Sequence, residues 1–127
     1  MRKIVQTGLP TVAAPIEWAV IGDNTLYTVQ IPIRPDGTIE SGDIVAQTKL
    51  VFANLKQTLE AARSSLDDVT QVQIFLAEKE DFQAVNAVYR TIFSPPYPNR
   101  STVVAGLVLK GSMIEIVVHA FLKNRTT

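Results

Sequence analysis

Two helix-period segments, each followed by a β-branched run, constrain this chain more than any other feature. The first begins near Ser41 or Asp43 and carries Ile44, Leu55, Leu59 and Ala62 at helical spacing, with Gln47, Thr48 and Val51 between them. Ser41 or Asp43 can cap it, because a short side-chain oxygen accepts from the unpaired first-turn N–H groups. Leu66-Asp67-Asp68 links it to a strand over 69–76, where Val72, Ile74 and Leu76 alternate with Gln71, Gln73 and Phe75. The second helix starts around Asp81, places Phe82, Val85, Tyr89 and Ile92 on one stripe, and stops at Pro95 and Pro96.

Shorter signals flank these units. Gly8, Pro10 and Pro15 mark an irregular or short-stranded opening. Residues 17–21 read as a short strand, Gly22-Asp23-Asn24 as a turn, and residues 25–33 as a second strand that ends or meets an edge at Pro32. Two strands, 101–109 and 113–122, close the chain around Lys110-Gly111-Ser112. The order β-β-α-β-α-β-β predicts one α+β domain over residues 1–127, with a single mixed sheet and two helices on one of its faces. The other face would carry Val and Ile with nothing left in the chain to cover it. Apolar area costs about 25 cal/mol per Å² to leave wet, so a homo-oligomer that buries this face is predicted.

Composition excludes several function classes. Twelve basic residues balance twelve acidic ones, so no global field attracts nucleic acid or an anionic membrane. Lys49, Lys56, Arg63 and Arg90 are scattered over helix faces, as solvated charges usually are. Without cysteine there is no disulfide, thiolate metal site or thiol nucleophile, and a single histidine leaves few metal ligands. No apolar run approaches the roughly 20 residues that span a bilayer. A soluble cytoplasmic protein that needs no cofactor or metal is expected.

The segment Tyr97-Pro98-Asn99-Arg100-Ser101-Thr102 holds an arginine in a proline-stiffened loop at the start of a strand. Its planar fork matches a carboxylate with two parallel hydrogen bonds, each charge-assisted contact worth about 1.5–3 kcal/mol when sheltered. That suffices to orient a small organic acid. The alternative is a loop arginine in a surface ion pair.

Four stretches then carry a family resemblance: Gln30-Ile31-Pro32, the run from Val85-Asn86 through Tyr89-Arg90 to Phe93, Pro98-Asn99-Arg100-Ser101-Thr102, and Ile114-Glu115-Ile116. In this order and spacing they resemble the RidA/YjgF-like reactive intermediate deaminases, proteins of chorismate-mutase-like fold. The resemblance implies a homotrimer with ligand clefts between subunits. It also implies hydrolysis of imines or enamines to a 2-oxo acid and ammonia, with Arg100 clamping the substrate carboxylate. Thr102 would contact the ligand through its backbone, and Thr28 would line the same cleft. Asn86 would sit near the cleft or tie its helix to its neighbours.

Two positions depart from the family pattern. Where active members read Ile-Glu-Ile-Glu, with the second Glu placing the attacking water, this chain has Val117. Where they carry Gly-Pro-Tyr, it has Ala14-Pro15-Ile16. Strand alternation puts Glu115, Val117 and His119 on one face, so Glu115 and His119 flank the altered position, each about 6–7 Å away. Either could order a water, and imidazole exchanges protons near neutrality. Each also has a structural role open to it: a paired strand carboxylate for Glu115, a packed interface histidine for His119. Glu17 is a third candidate beside Ile16, or a solvated loop acid. Trp18 either replaces the lost aromatic wall or anchors a core or interface. Apolar Ile16, Val29 and Val117 hint at a less polar substrate. Three functions compete: an imine deaminase, a small-carboxylate binding protein without turnover, and a ribonuclease, an activity ascribed to some relatives and disfavoured here by neutral charge.

Overall fold

The computed structural model describes residues 1–123. It contains β1 (Lys3–Ile4), β2 (Ala19–Gly22), β3 (Thr25–Gln30), α1 (Ile44–Ala61), β4 (Val69–Leu76), α2 (Phe82–Ile92), β5 (Asn99–Val104) and β6 (Ile114–Phe121). All the strands join one sheet in the order β1-β2-β3-β6-β4-β5. The last strand therefore enters the middle. β6 runs antiparallel to both β3 and β4, which makes those two parallel and α1 their crossover. β4 and β5 are parallel neighbours joined through α2. The predicted mixed sheet with two helices is the observed architecture.

Alternation sorts the strands into two faces. Val72, Ile74 and Leu76 of β4 and Ile114, Ile116, Val118 and Ala120 of β6 are buried with Val51, Phe52, Leu55 and Leu59 of α1 and Val85 and Tyr89 of α2. Asp43 is the cap that wins at α1: its carboxylate accepts from Ala46 N at 2.9 Å. Two amides on the buried stripe of α1 satisfy loop backbone. Gln47 donates to the carbonyls of Glu40 and Gly111 and accepts from Met113 N, and Asn54 donates to Ile31 and Ile33. Such buried amides hold irregular loops on the helix at little desolvation cost.

Among the described residues no element covers the opposite sheet face. Tyr27 is 44% exposed, Val103 46% and Phe121 52%, with Val29, Phe75, Val117 and His119 half-buried between them. His119 meets the Tyr27 ring edge-on at 5.0 Å.

Some boundaries differ from the sequence reading. A short β1 precedes the others, and β2 begins at Ala19 rather than 17. β3 ends at Gln30 because Pro32 has no N–H for the ladder, although Ile33 still bridges Ile39. The two closing strands are not neighbours joined by a tight turn. β5 ends at Val104 on the sheet edge, and the apolar residues that follow leave the sheet, Val108 being 96% exposed.

Candidate functional site

Arg100 pairs with Val72 across the β4–β5 ladder, and this register turns its side chain toward the helices. There it meets α2. The guanidinium carbon lies 4.5 Å from the centroid of the Tyr89 ring and 5.7 Å from that of Phe82. Arg100 Nε donates to Thr102 Oγ1 at 2.9 Å, one strand repeat away on the same face. Three contacts thus hold the fork, while Nη2 is buried without a hydrogen-bond partner. Leaving such a group unpaired costs about 1–3 kcal/mol, and more when it is charged. Burial pushes Arg100 below the ordinary guanidinium value, with Tyr89 opposing and the charge of Arg90 adding to the shift. Burial likewise pushes the Tyr89 phenol up, so it stays neutral, and its hydroxyl too has no partner.

These groups border a cavity of about 220 Å³ lined by Asn86, Tyr89, Arg90, Tyr97, Pro98 and Arg100. Asn86 and Arg90 stand one turn apart on α2, and Tyr97 and Pro98 come from the loop that stops the helix. The size suits a small molecule, and a fixed, partly desolvated guanidinium suits an anionic group on it. Among the described residues no carboxylate or imidazole lines this cavity.

The structure brings together Arg100, Thr102 and Asn86 and separates them from the rest of the sequence-level set. Glu115, Val117 and His119 do share a face, but it is the open one, opposite the Arg100 guanidinium. Burial raises the Glu115 carboxyl above its ordinary value. Ile16 and Glu17 are exposed just before β2. From β2 to β5 is four strand spacings, about 19 Å, so one chain cannot carry either residue to Arg100.

Thr28 does not line this cavity. It points under α1, with its hydroxyl donating to Trp18 O at 2.6 Å and accepting from Gln30 Nε2 at 3.0 Å. It braces the core instead of lining the cavity. Trp18 anchors a satellite core with Ile31 and Ile33, its indole donating to Pro10 O. Sequence reasoning placed Tyr89 and Phe82 in the core stripe and left Arg90 as a solvated charge. The Asn86/Arg90 spacing of four residues, facing the loop before Arg100, is the signal that joins them.

Among the described residues no three His, Asp or Glu gather as a metal site would require, and no helix is long and apolar enough to cross a membrane.

Fold and cavity define a mixed-sheet α+β protein with a cationic pocket at one sheet edge. Residues 9–122 match the family described as Endoribonuclease L-PSP. A RutC family protein of Pyrococcus horikoshii is 37% identical over 124 residues, covering 95% of this chain and 98% of the relative. The human 2-iminobutanoate/2-iminopropanoate deaminase is 31% identical, covering 100% of this chain and 95% of its own. The crystal structure of E. coli TdcF with bound serine superposes with a TM-score of 0.86 at 29% identity, over 95% of this chain and 99% of the other. The chain belongs to this family, the RidA/YjgF proteins, in agreement with the resemblance carried by the four motifs.

Proposed function

We propose that this protein hydrolyses reactive 2-imino or enamine acids, with Arg100 holding the substrate carboxylate. In the reaction a water oxygen adds to the imine carbon, the C–N bond breaks, and the water protons leave on nitrogen. The products are a 2-oxo acid and ammonia. The observation that carries the reading is the Arg100 fork, pinned by Thr102 and Tyr89 at the edge of a small cavity, with Nη2 buried and unpartnered. A carboxylate would supply the missing acceptor. The name of the human relative and the serine bound to TdcF, itself a small amino acid with a carboxylate, support the same ligand class.

The site is completed by another copy of the chain. Exposed Tyr27, Val103 and Phe121 supply an apolar face for a partner, and Ile16 and Glu17 reach Arg100 only across such a contact. Three copies follow from the family resemblance. In that assembly Thr102 orients the ligand, Asn86 borders it, and Glu115, His119 or Glu17 orders the water where Val117 cannot. The ribonuclease in the family description is not adopted, because RNA requires a basic track and this chain has zero formal net charge.

The second reading is carboxylate binding without turnover. It is favoured by a cavity lining that, among the described residues, holds no carboxylate or imidazole, while burial keeps the Tyr89 phenol neutral. A positioned general acid or base contributes about 10²–10⁴-fold, so its loss would leave only binding and orientation. One experiment separates the two. Imines generated from a panel of amino acids by an oxidase are trapped with semicarbazide, and the protein is asked to compete with the trap. Competition that disappears in Arg100→Ala supports the deaminase. Calorimetric binding of 2-oxo acids without competition for any amino acid supports the binding protein.

A further inference from the structure

The cavity holds a second guanidinium that the carboxylate clamp does not use. Arg90 lies one helical turn after Asn86 on α2 and lines the same 220 Å³ space as Arg100. Among the described residues no acidic side chain lines that space. The ion pairs among the described residues are Arg34–Glu40 and Lys123–Asp68, so neither arginine of the cavity is neutralised by a carboxylate. Arg90 is exposed on the helix and Arg100 is half-buried, and both line the cavity. Burial is the main cause that disfavours the charge on Arg100, and the like charge of Arg90 adds to it. Two unpaired guanidinium groups around one small cavity form a poor resting arrangement and a good receptor for two negative charges.

We infer that this cavity takes a small dicarboxylic 2-imino or 2-oxo acid, Arg100 holding the carboxylate beside the reacting carbon and Arg90 the distal one. The inference rests on the clamp role proposed for Arg100 and adds the substrate class. Its chemistry is that of the imines formed when acidic amino acids are oxidised at the α-carbon. Tyr97 and Pro98 border the space between the two cations, and Asn86 offers an amide that can donate to either ligand oxygen. The apolar residues Val29 and Val117 lie on the other sheet face and do not border this cavity.

The test is calorimetric titration of the full-length protein with 2-oxoglutarate and with 2-oxobutanoate at low ionic strength. These are the product-type probes with and without the distal carboxylate. Wild-type protein is expected to bind 2-oxoglutarate about tenfold more tightly, the effect of one further charge-assisted contact. Arg90→Gln should reduce that ratio to near one. Arg90 is exposed, so the variant retains the fold, which its melting curve will show. Lys49→Gln removes a positive charge from the exposed face of α1 and should keep the ratio, which separates a local contact from a general field. Equal affinities in the wild type, or a preference that survives Arg90→Gln, would overturn the inference while 2-oxobutanoate binding leaves the Arg100 clamp standing. Failure of both ligands to bind would overturn the two together.

Discussion

Replacing Arg100 by Met tests whether this arginine belongs to the scaffold or to the ligand. For folding, the terms oppose one another. The variant loses the Nε bond to Thr102, worth about 1.5–3 kcal/mol for a charged donor, and a cation–π contact on Tyr89 of about 0.5–2 kcal/mol. It also removes a buried Nη2 with no partner, relieving about 1–3 kcal/mol, and the thioether keeps a contact with the ring of about 0.3–1.5 kcal/mol. Taken at their midpoints the terms leave a loss of about 0.6 kcal/mol, a fall in Tm of roughly 3 °C. For binding nothing compensates. Loss of the fork costs at least about 1.5–3 kcal/mol, a 10- to 150-fold weaker affinity. The assay is a ligand-free thermal melt beside calorimetric titration with 2-oxobutanoate. Wild-type affinity in Arg100→Met would refute the clamp. A fall in Tm above about 15 °C would show that the guanidinium holds the β5 edge to α2, a scaffold role.

Three further outcomes test other parts of the account. Thr28→Val strips a buried hydroxyl of two hydrogen bonds and should cost about 1–3 kcal/mol in urea unfolding, with 2-oxo acid affinity unchanged; reduced affinity at unchanged stability would return Thr28 to the cleft. Val117→Glu restores the acid that the family pattern carries and should raise competition with semicarbazide about 100-fold, the low end of the usual acid–base contribution; no change would remove the open sheet face from the reaction site. Burial raises the Glu115 carboxyl above its ordinary value of 4.5. The folded state therefore holds that proton more tightly than the unfolded chain. The stability this gives is present below the unfolded value and is lost as pH rises through the folded one. Glu115→Gln should accordingly be more stable than wild type at neutral pH, the gap closing below pH 4.5 in urea titrations; a gap that widens in acid would reverse the assignment.

Much of the fold was legible because two periodicities alternate along the chain. The stripes of α1 and α2 and the period-two runs of β4 and β6 occur where their residues predict them. Pairing was less legible. Residues 101–109 are apolar enough to continue a strand, yet β5 stops at Val104 because its one sheet neighbour, β4, ends at the paired Leu76. Apolarity shows that a segment seeks cover but not which strand provides it. Alternation likewise shows that Thr28 and Val29 face opposite ways, but not which face the helices take. Arg100 was legible from its loop and its family motif. Its setting was not, because Tyr89, Arg90 and Tyr97 each look ordinary until α2 crosses beside β5.

The most direct measurement is a crystal structure of the protein grown with 2-oxobutanoate. The account predicts the ligand carboxylate at Arg100, with oxygens about 2.7–2.9 Å from the guanidinium nitrogens, Nη2 included, and a second copy of the chain closing the cavity. Ligand density away from Arg100, or an Arg100 fork occupied by a protein carboxylate from the neighbouring copy, would contradict it.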